Sequence, residues 1–165
     1  MTANDVLRRL RFALNLPDAE LGRLLATVGQ PVAPEVIAGY FAREDNEAYV
    51  ECPDVVLGAL LDALVLDRRG PRDPNAPPVV AEALDNNVIL RKLRIALSYK
   101  EPEMIATLAA GGMRASPSEL SALFRQRNHK HYRAAGDQLM RAFFEGLTAR
   151  LRGIGGKPLP DEAKR

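Results

Sequence analysis

Apolar residues recur along this chain at spacings of three and four, and strict alternation is nowhere sustained. The pattern predicts helices and no strand. Val6, Leu7, Leu10, Ala13 and Leu14 form one stripe behind Asn4, which is placed as its N-cap. A second helix is predicted from about Pro17 to Val28, with a proline in its first turn and Gly29 as its stop. A third opens at Pro34 and carries Val36, Ile37, Tyr40 and Phe41. A fourth begins near Asp54, a natural N-cap, and holds Val55, Leu57, Leu60, Leu61 and Leu64.

The pattern then runs a second time. NDVLRRLRFALN at 4–15 lies over NVILRKLRIALS at 87–98, and the alignment continues without a gap, offset by 83, until Gly70 lies over Gly153. Glu20/Glu103, Gly29/Gly112, Pro34/Pro117, Phe41/Phe124, Tyr49/Tyr132 and Asp54/Asp137 fall along it. In the second copy Leu90, Leu93, Ala96 and Leu97 follow Asn86-Asn87, and a helix over roughly 100–110 stops at Gly111-Gly112. Ser116-Pro117-Ser118-Glu119 reads as a capped helix start, with proline just inside and Glu at the third position. Leu120, Leu123 and Phe124 follow it, and Asp137 opens a last helix with Leu139, Phe143, Phe144 and Leu147.

Each copy is therefore four helices. The expected division is 1–70 for the first repeat, 71–83 for a Pro-rich linker, 84–153 for the second repeat and 154–165 for a disordered tail. A unit of about 70 residues buries little of its unfolded surface alone, so the copies are expected to pack on each other about a pseudo-two-fold axis. The fold expected is all-α: a tandem duplication of a four-helix unit with a helix-turn-helix-like core.

Composition narrows the picture modestly. Apolar residues make up 47% of the 165, but with five Phe, four Tyr and no Trp the core must be built from aliphatic side chains. A single cysteine, Cys52, excludes an internal disulfide. The first residues do not read as a signal peptide and no apolar run is long enough to span a bilayer, so the expectation is a soluble cytoplasmic protein.

Charge changes the picture more. The net charge of +2 hides two opposed halves. Positions 1–70 hold seven arginines against eleven acids, net −4; positions 84–153 hold twelve cations against six acids, net +6. The difference concentrates after the third helix of each copy. The second copy reads LFRQRNHKHYR, with Arg125, Arg127, Lys130 and Arg133 and no acid; the first reads YFAREDNEAYV, with Glu44, Asp45 and Glu47. Cations of this density gain nucleic-acid affinity by releasing condensed counterions. Ser116 and Ser118 at a helix start add hydroxyls suited to phosphate, and Gln126, Asn128, His129 and His131 are side chains that contact bases or support such contacts. The same run also fits a solvated face, or a surface that docks on the acidic copy.

Other candidate chemistry has simpler explanations. Arg11 and Arg94 lie about 40° from the stripe residues Leu7 and Leu90 at 100° per residue. That edge position predicts packed stems with buried ion pairs to Glu20/Glu103 or Asp54/Asp137. Arg8 and Arg91 face further outward. Asp54 and Asp137 need no catalytic role if they cap helices. Two histidines without CxxC or HExxH do not close a zinc site, and no GxSxG, P-loop or GxGxxG occurs. Neither an enzyme site nor a cofactor or metal site is expected.

NDVLRRLRFAL, NNVILRKLRIAL, SELSALFR, HKHYR and GDQLMRAFFEGL, in that order over about 4–152, resemble the YehS-like family of bacterial proteins, a domain of unknown function (DUF1456). The resemblance implies a tandem duplication of one helical unit and supplies no substrate, cofactor or catalytic residue. The family pattern has a cysteine before GDQ where this chain has Ala135, so a thiol role there is not carried over. The leading expectation is a small nucleic-acid-binding or regulatory protein, not an enzyme, acting through the second copy, with the acidic copy as scaffold or protein-binding surface. A protein–protein adaptor without nucleic-acid binding is the alternative.

Overall fold

The two sets of four stripes fold as eight helices in the computed structural model, which describes residues 1–78 and 82–157. They are α1 (Ala3–Leu14), α2 (Asp18–Thr27), α3 (Pro34–Phe41), α4 (Asp54–Arg69), α5 (Asn86–Ala96), α6 (Glu101–Ala110), α7 (Pro117–Leu123) and α8 (Asp137–Arg152). No strand occurs among the described residues; the chain is all-α. No described helix is long and apolar enough to cross a membrane.

The stripes are the core. Val6, Leu7, Leu10 and Ala13 of α1 are buried, as are Leu21, Leu24 and Leu25 of α2 and Leu57, Leu60, Leu61 and Leu64 of α4. In the second copy Leu90 and Leu93, Met104 and Leu108, and Phe143, Phe144 and Leu147 do the same work. Val55 is the exception, 64% exposed although counted with the stripe of α4. Both copies stop their second helix in the same way. The Gly29 N–H donates to Ala26 O and the Gln30 N–H to Leu25 O, with Gly29 left-handed at φ +74°. Gly112, Ala109, Met113 and Leu108 repeat the arrangement at φ +82°. This is the Schellman closure that a glycine permits without strain.

Helix starts differ from expectation at Asn4, Asp54 and Asp137. Asn4 does not cap α1. Thr2 does so, its hydroxyl accepting from the Asp5 N–H at 3.1 Å while the Asp5 carboxylate accepts from the Thr2 N–H at 3.0 Å. Asn4 is 1% exposed inside the first turn and reaches across the unit: its amide donates to Tyr40 O and Val50 O, and its Oδ1 accepts from the Cys52 N–H at 2.8 Å. In the second copy Asp85 caps α5, its carboxylate accepting from the Val88 N–H at 2.8 Å. Asp54 and Asp137 stand one residue inside their helices, after Pro53 and Gly136, which hold the N-cap positions. Their charge still favours a helix N-terminus through the macrodipole.

The described chain divides into two compact units that cut across the sequence copies. One comprises Met1–Arg8 and Leu16–Ser98, so α5 of the second copy belongs with α2, α3 and α4. The other comprises Arg9–Asn15 with Tyr99 onward, so the second half of α1 belongs with α6, α7 and α8. Within the first unit α5 lies along α4. Lys92 pairs with Asp62, and Arg69 donates to the Ser98 hydroxyl at 2.7 Å. The two ties advance in the same direction on both helices, so α4 and α5 run parallel. A parallel pair cannot be closed by a tight turn, which gives the Pro-rich segment after Gly70 its task of returning the chain. Residues 79–81 of that expected linker lie outside the described residues.

In the second unit Arg152 repeats the role of Arg69, 83 positions earlier. It donates to Phe12 O at 2.9 Å and stacks 4.5 Å over the Phe12 ring. Helices α6 and α8 cross antiparallel at near backbone contact. A Cβ on Gly146 would come 1.7 Å from Thr107 O, and one on Gly111 1.8 Å from Ala142 O. Arg150 fastens the crossing by donating to Glu103 O and to the Thr107 hydroxyl, beneath a 5.4 Å approach to Tyr99. The start of the expected tail is tied down: the Lys157 N–H donates to Ala110 O at 2.8 Å and its ammonium pairs with Glu145 at 3.0 Å. Residues 158–165 of that tail lie outside the described residues.

Candidate functional site

The basic segment is the loop between α7 and α8. Helix α7 ends at Leu123, so Arg125 to Arg133 leave the helix instead of extending it. Gln126, Arg127, Asn128, His129, Lys130, His131 and Arg133 are exposed, and Arg125 is half-buried. The structure thus brings eight of the sequence-selected positions into one solvent-facing loop.

The backbone of that loop is held tightly. The His129 N–H donates to Gln126 O at 2.9 Å, the Tyr132 N–H to His129 O at 2.9 Å and the Arg133 N–H to Ala122 O at 3.0 Å. His129 adds a side-chain bond, its Nδ1 accepting from the His131 N–H at 3.0 Å. That acceptor role assigns the ring proton to Nε2. The first copy contains the same frame 83 residues earlier. Asn46 N–H donates to Arg43 O, Tyr49 N–H to Asn46 O and Val50 N–H to Gly39 O, while Asn46 Oδ1 accepts from the Ala48 N–H at 2.8 Å. His129 therefore does the turn-closing work of Asn46 with an imidazole.

On this common frame the charge is inverted. Glu44, Asp45 and Glu47 become Arg127, Asn128 and Lys130; Ala42, Val50 and Glu51 become Arg125, Arg133 and Ala134. Residues 42–51 hold one arginine against four acids, net −3, whereas 125–134 hold four cations and no acid, net +4.

Ser116 and Ser118 stand at the other end of α7. The Ser116 hydroxyl accepts from the Glu119 N–H at 3.2 Å, and the Glu119 carboxylate accepts from the Ser116 N–H at 2.9 Å. The capping box read from the sequence is formed, so the Ser116 hydroxyl is committed to the helix. Ser118 Oγ is 3.3 Å from it. The Ser116 backbone bond holds the Glu119 carboxyl below the ordinary glutamate range, with Arg133, 3.9 Å away, adding to the effect.

The other candidates resolve into structure. Glu20 pairs with Arg23, which also reaches Asp67 at 3.1 Å and so ties α2 to α4. Glu103 closes onto the Lys100 N–H at the start of α6. Arg11 and Arg94 are half-buried. Arg8 turns inward to Ala42 O at 2.7 Å, and Arg91 pairs with Glu82. Cys52 is buried, and that burial, with Asp54 nearby, pushes its thiol up to about 11, so it is protonated at neutral pH. An open cleft of about 370 Å³ in the first unit is lined by Arg8, Phe41, Arg43, Glu44 and Asp45. Its cations are engaged by Ala42 O and Asp45, and it assembles no nucleophile with a base. No group of three or more metal-ligating side chains gathers among the described residues.

Sequence reading missed Arg150, Arg152 and Tyr99, which hold the second unit together. No local pattern marks them, because their partners lie 43 or more residues away in the chain.

Comparison with known proteins gives two matches. The family model described as "Protein of unknown function (DUF1456)" matches twice, at residues 3–70 and 86–153. "Uncharacterized protein YehS" of Escherichia coli (strain K12) is 39% identical over 151 residues, covering 91% of this chain and 96% of that protein. No solved structure matches.

Proposed function

The chain belongs to the DUF1456 family, in two tandem copies, and on that premise we propose that it is a cytoplasmic, non-enzymatic nucleic-acid-binding protein acting through the second copy. One observation carries the reading: two loops with the same backbone bonds differ by seven units of charge, −3 against +4. The fold tolerates either sign, so the shared backbone frame does not require the cations of 125–133. Exposed cations on a fixed loop suit a polyanion, which they bind by displacing its counterions. Arg125, Arg127, Lys130 and Arg133 contact phosphate; Gln126, Asn128 and His131 lie between them; His129 shapes the turn. Ser116 and Ser118 take a lesser part, since the cap uses the Ser116 hydroxyl. The α6–turn–α7 pair is helix-turn-helix-like in this reading. The exposed acids of the first-copy loop, Glu44, Asp45, Glu47 and Glu51, favour a second role for that copy as a surface for a basic protein partner.

The test is double charge reversal, Arg127→Glu with Lys130→Glu, at the positions where the first copy has Glu44 and Glu47. Helicity by circular dichroism is expected to stay unchanged, because the first copy folds the same loop with acids. Affinity for a labelled oligonucleotide at low salt is expected to fall by about tenfold or more. Unchanged affinity in a folded variant refutes the proposal.

A further inference from the structure

We propose that the 125–133 loop takes single-stranded nucleic acid, stacking bases on the His129 and His131 rings between phosphate-binding cations, in preference to duplex. The inference rests on the nucleic-acid reading and specifies its ligand.

Duplex readout by a helix-turn-helix requires the first turn of the recognition helix to present side chains to base edges in the major groove. Helix α7 is poorly made for that. It has seven residues, about 10 Å at 1.5 Å per residue. Its first turn offers Pro117, Ser118 and Glu119. The Ser116 hydroxyl and the Glu119 carboxylate are both bound within the cap, and the carboxylate brings a negative charge where phosphate would approach. The cations lie at the opposite end of the helix, in a loop.

The loop has what single strands require. The imidazoles of His129 and His131 are 5.7 Å apart between centroids and inclined at 44°, both on exposed residues. The Nδ1 bond to the His131 N–H fixes the His129 ring, so one stacking face is set in advance. Lys130 lies between them in sequence, with Arg125, Arg127 and Arg133 on either side. Flat rings interleaved with cations bind unpaired bases by stacking and their phosphates by charge. Paired bases are already stacked on each other and cannot use the rings.

The experiment uses the full chain, with fluorescence anisotropy against a labelled 12-nucleotide single-stranded RNA, the DNA of the same sequence, and the corresponding 12-base-pair duplex, at one low salt concentration. Single strands are expected to bind at least about tenfold more tightly than duplex. His131→Ala, which leaves the turn-closing ring of His129 in place, is expected to weaken single-strand binding roughly fivefold to tenfold and leave duplex binding unchanged. His131→Tyr is expected to restore it. Equal or tighter duplex binding, or indifference to His131→Ala, overturns the single-strand inference and leaves the basic-surface reading standing. No binding to any of the three overturns both.

Discussion

An imidazole and an amide exchange places at one turn of this molecule, and the exchange separates what shapes the loop from what the loop offers. Asn46 closes the turn of the first copy with its Oδ1; His129 closes that of the second with Nδ1. His129→Asn is therefore expected to preserve the loop. His129→Ala is expected to remove the bond, costing about 0.5–1.5 kcal/mol locally. Amide exchange at His131 and Tyr132 checks this: faster exchange in the alanine variant and near-native exchange in the asparagine variant support it, and equal rates in both contradict it. At this scale the sequence was legible where the partner is near in the chain. Ser116 and Glu119 bond across three residues, and the capping box was predicted as found. Asn4 was misassigned because an amide before an apolar stripe looks like a cap. Its real partners, Tyr40, Val50 and Cys52, are brought to it only by the tertiary fold.

At the scale of elements, glycine means opposite things in the two last helices. Gly146 of α8 lies against the backbone of α6, where an added Cβ would strike Thr107 O at 1.7 Å. Gly58 of α4 has open space around its missing Cβ. Gly146→Ala must force α6 and α8 apart and is expected to cost at least about 2–3 kcal/mol. Gly58→Ala is expected to stabilise by about 0.5–1 kcal/mol, through helix propensity alone. Thermal unfolding distinguishes them: melting temperatures should move in opposite directions, and a melting temperature unchanged by Gly146→Ala would contradict the close crossing. The helices were readable from periodicity, capping residues and glycine stops, which act within a turn or two. The crossing was not. A glycine inside a helical pattern signals only weaker propensity until its neighbour is known, and Ala63, the counterpart of Gly146 in the first copy, gives no hint of it.

For the whole molecule, duplication in sequence did not become division in space along the same boundary. Each compact unit takes helical residues from both copies, with α5 beside α4 and the second half of α1 grouped with α8. The offset alignment could not reveal this, because it compares the copies position by position and says nothing of which copy a helix packs against. It did reveal the inverted charge of the two loops, the contrast on which we propose that the second copy presents a polyanion-binding loop on a frame shared with the first. The most direct test is anisotropy of the intact chain with labelled single-stranded RNA, titrated across salt. Log affinity is expected to fall linearly with log salt, with a slope of about −2 to −3 for three to four phosphates contacted by Arg125, Arg127, Lys130 and Arg133. A slope near zero, or no binding at the lowest salt, would contradict it.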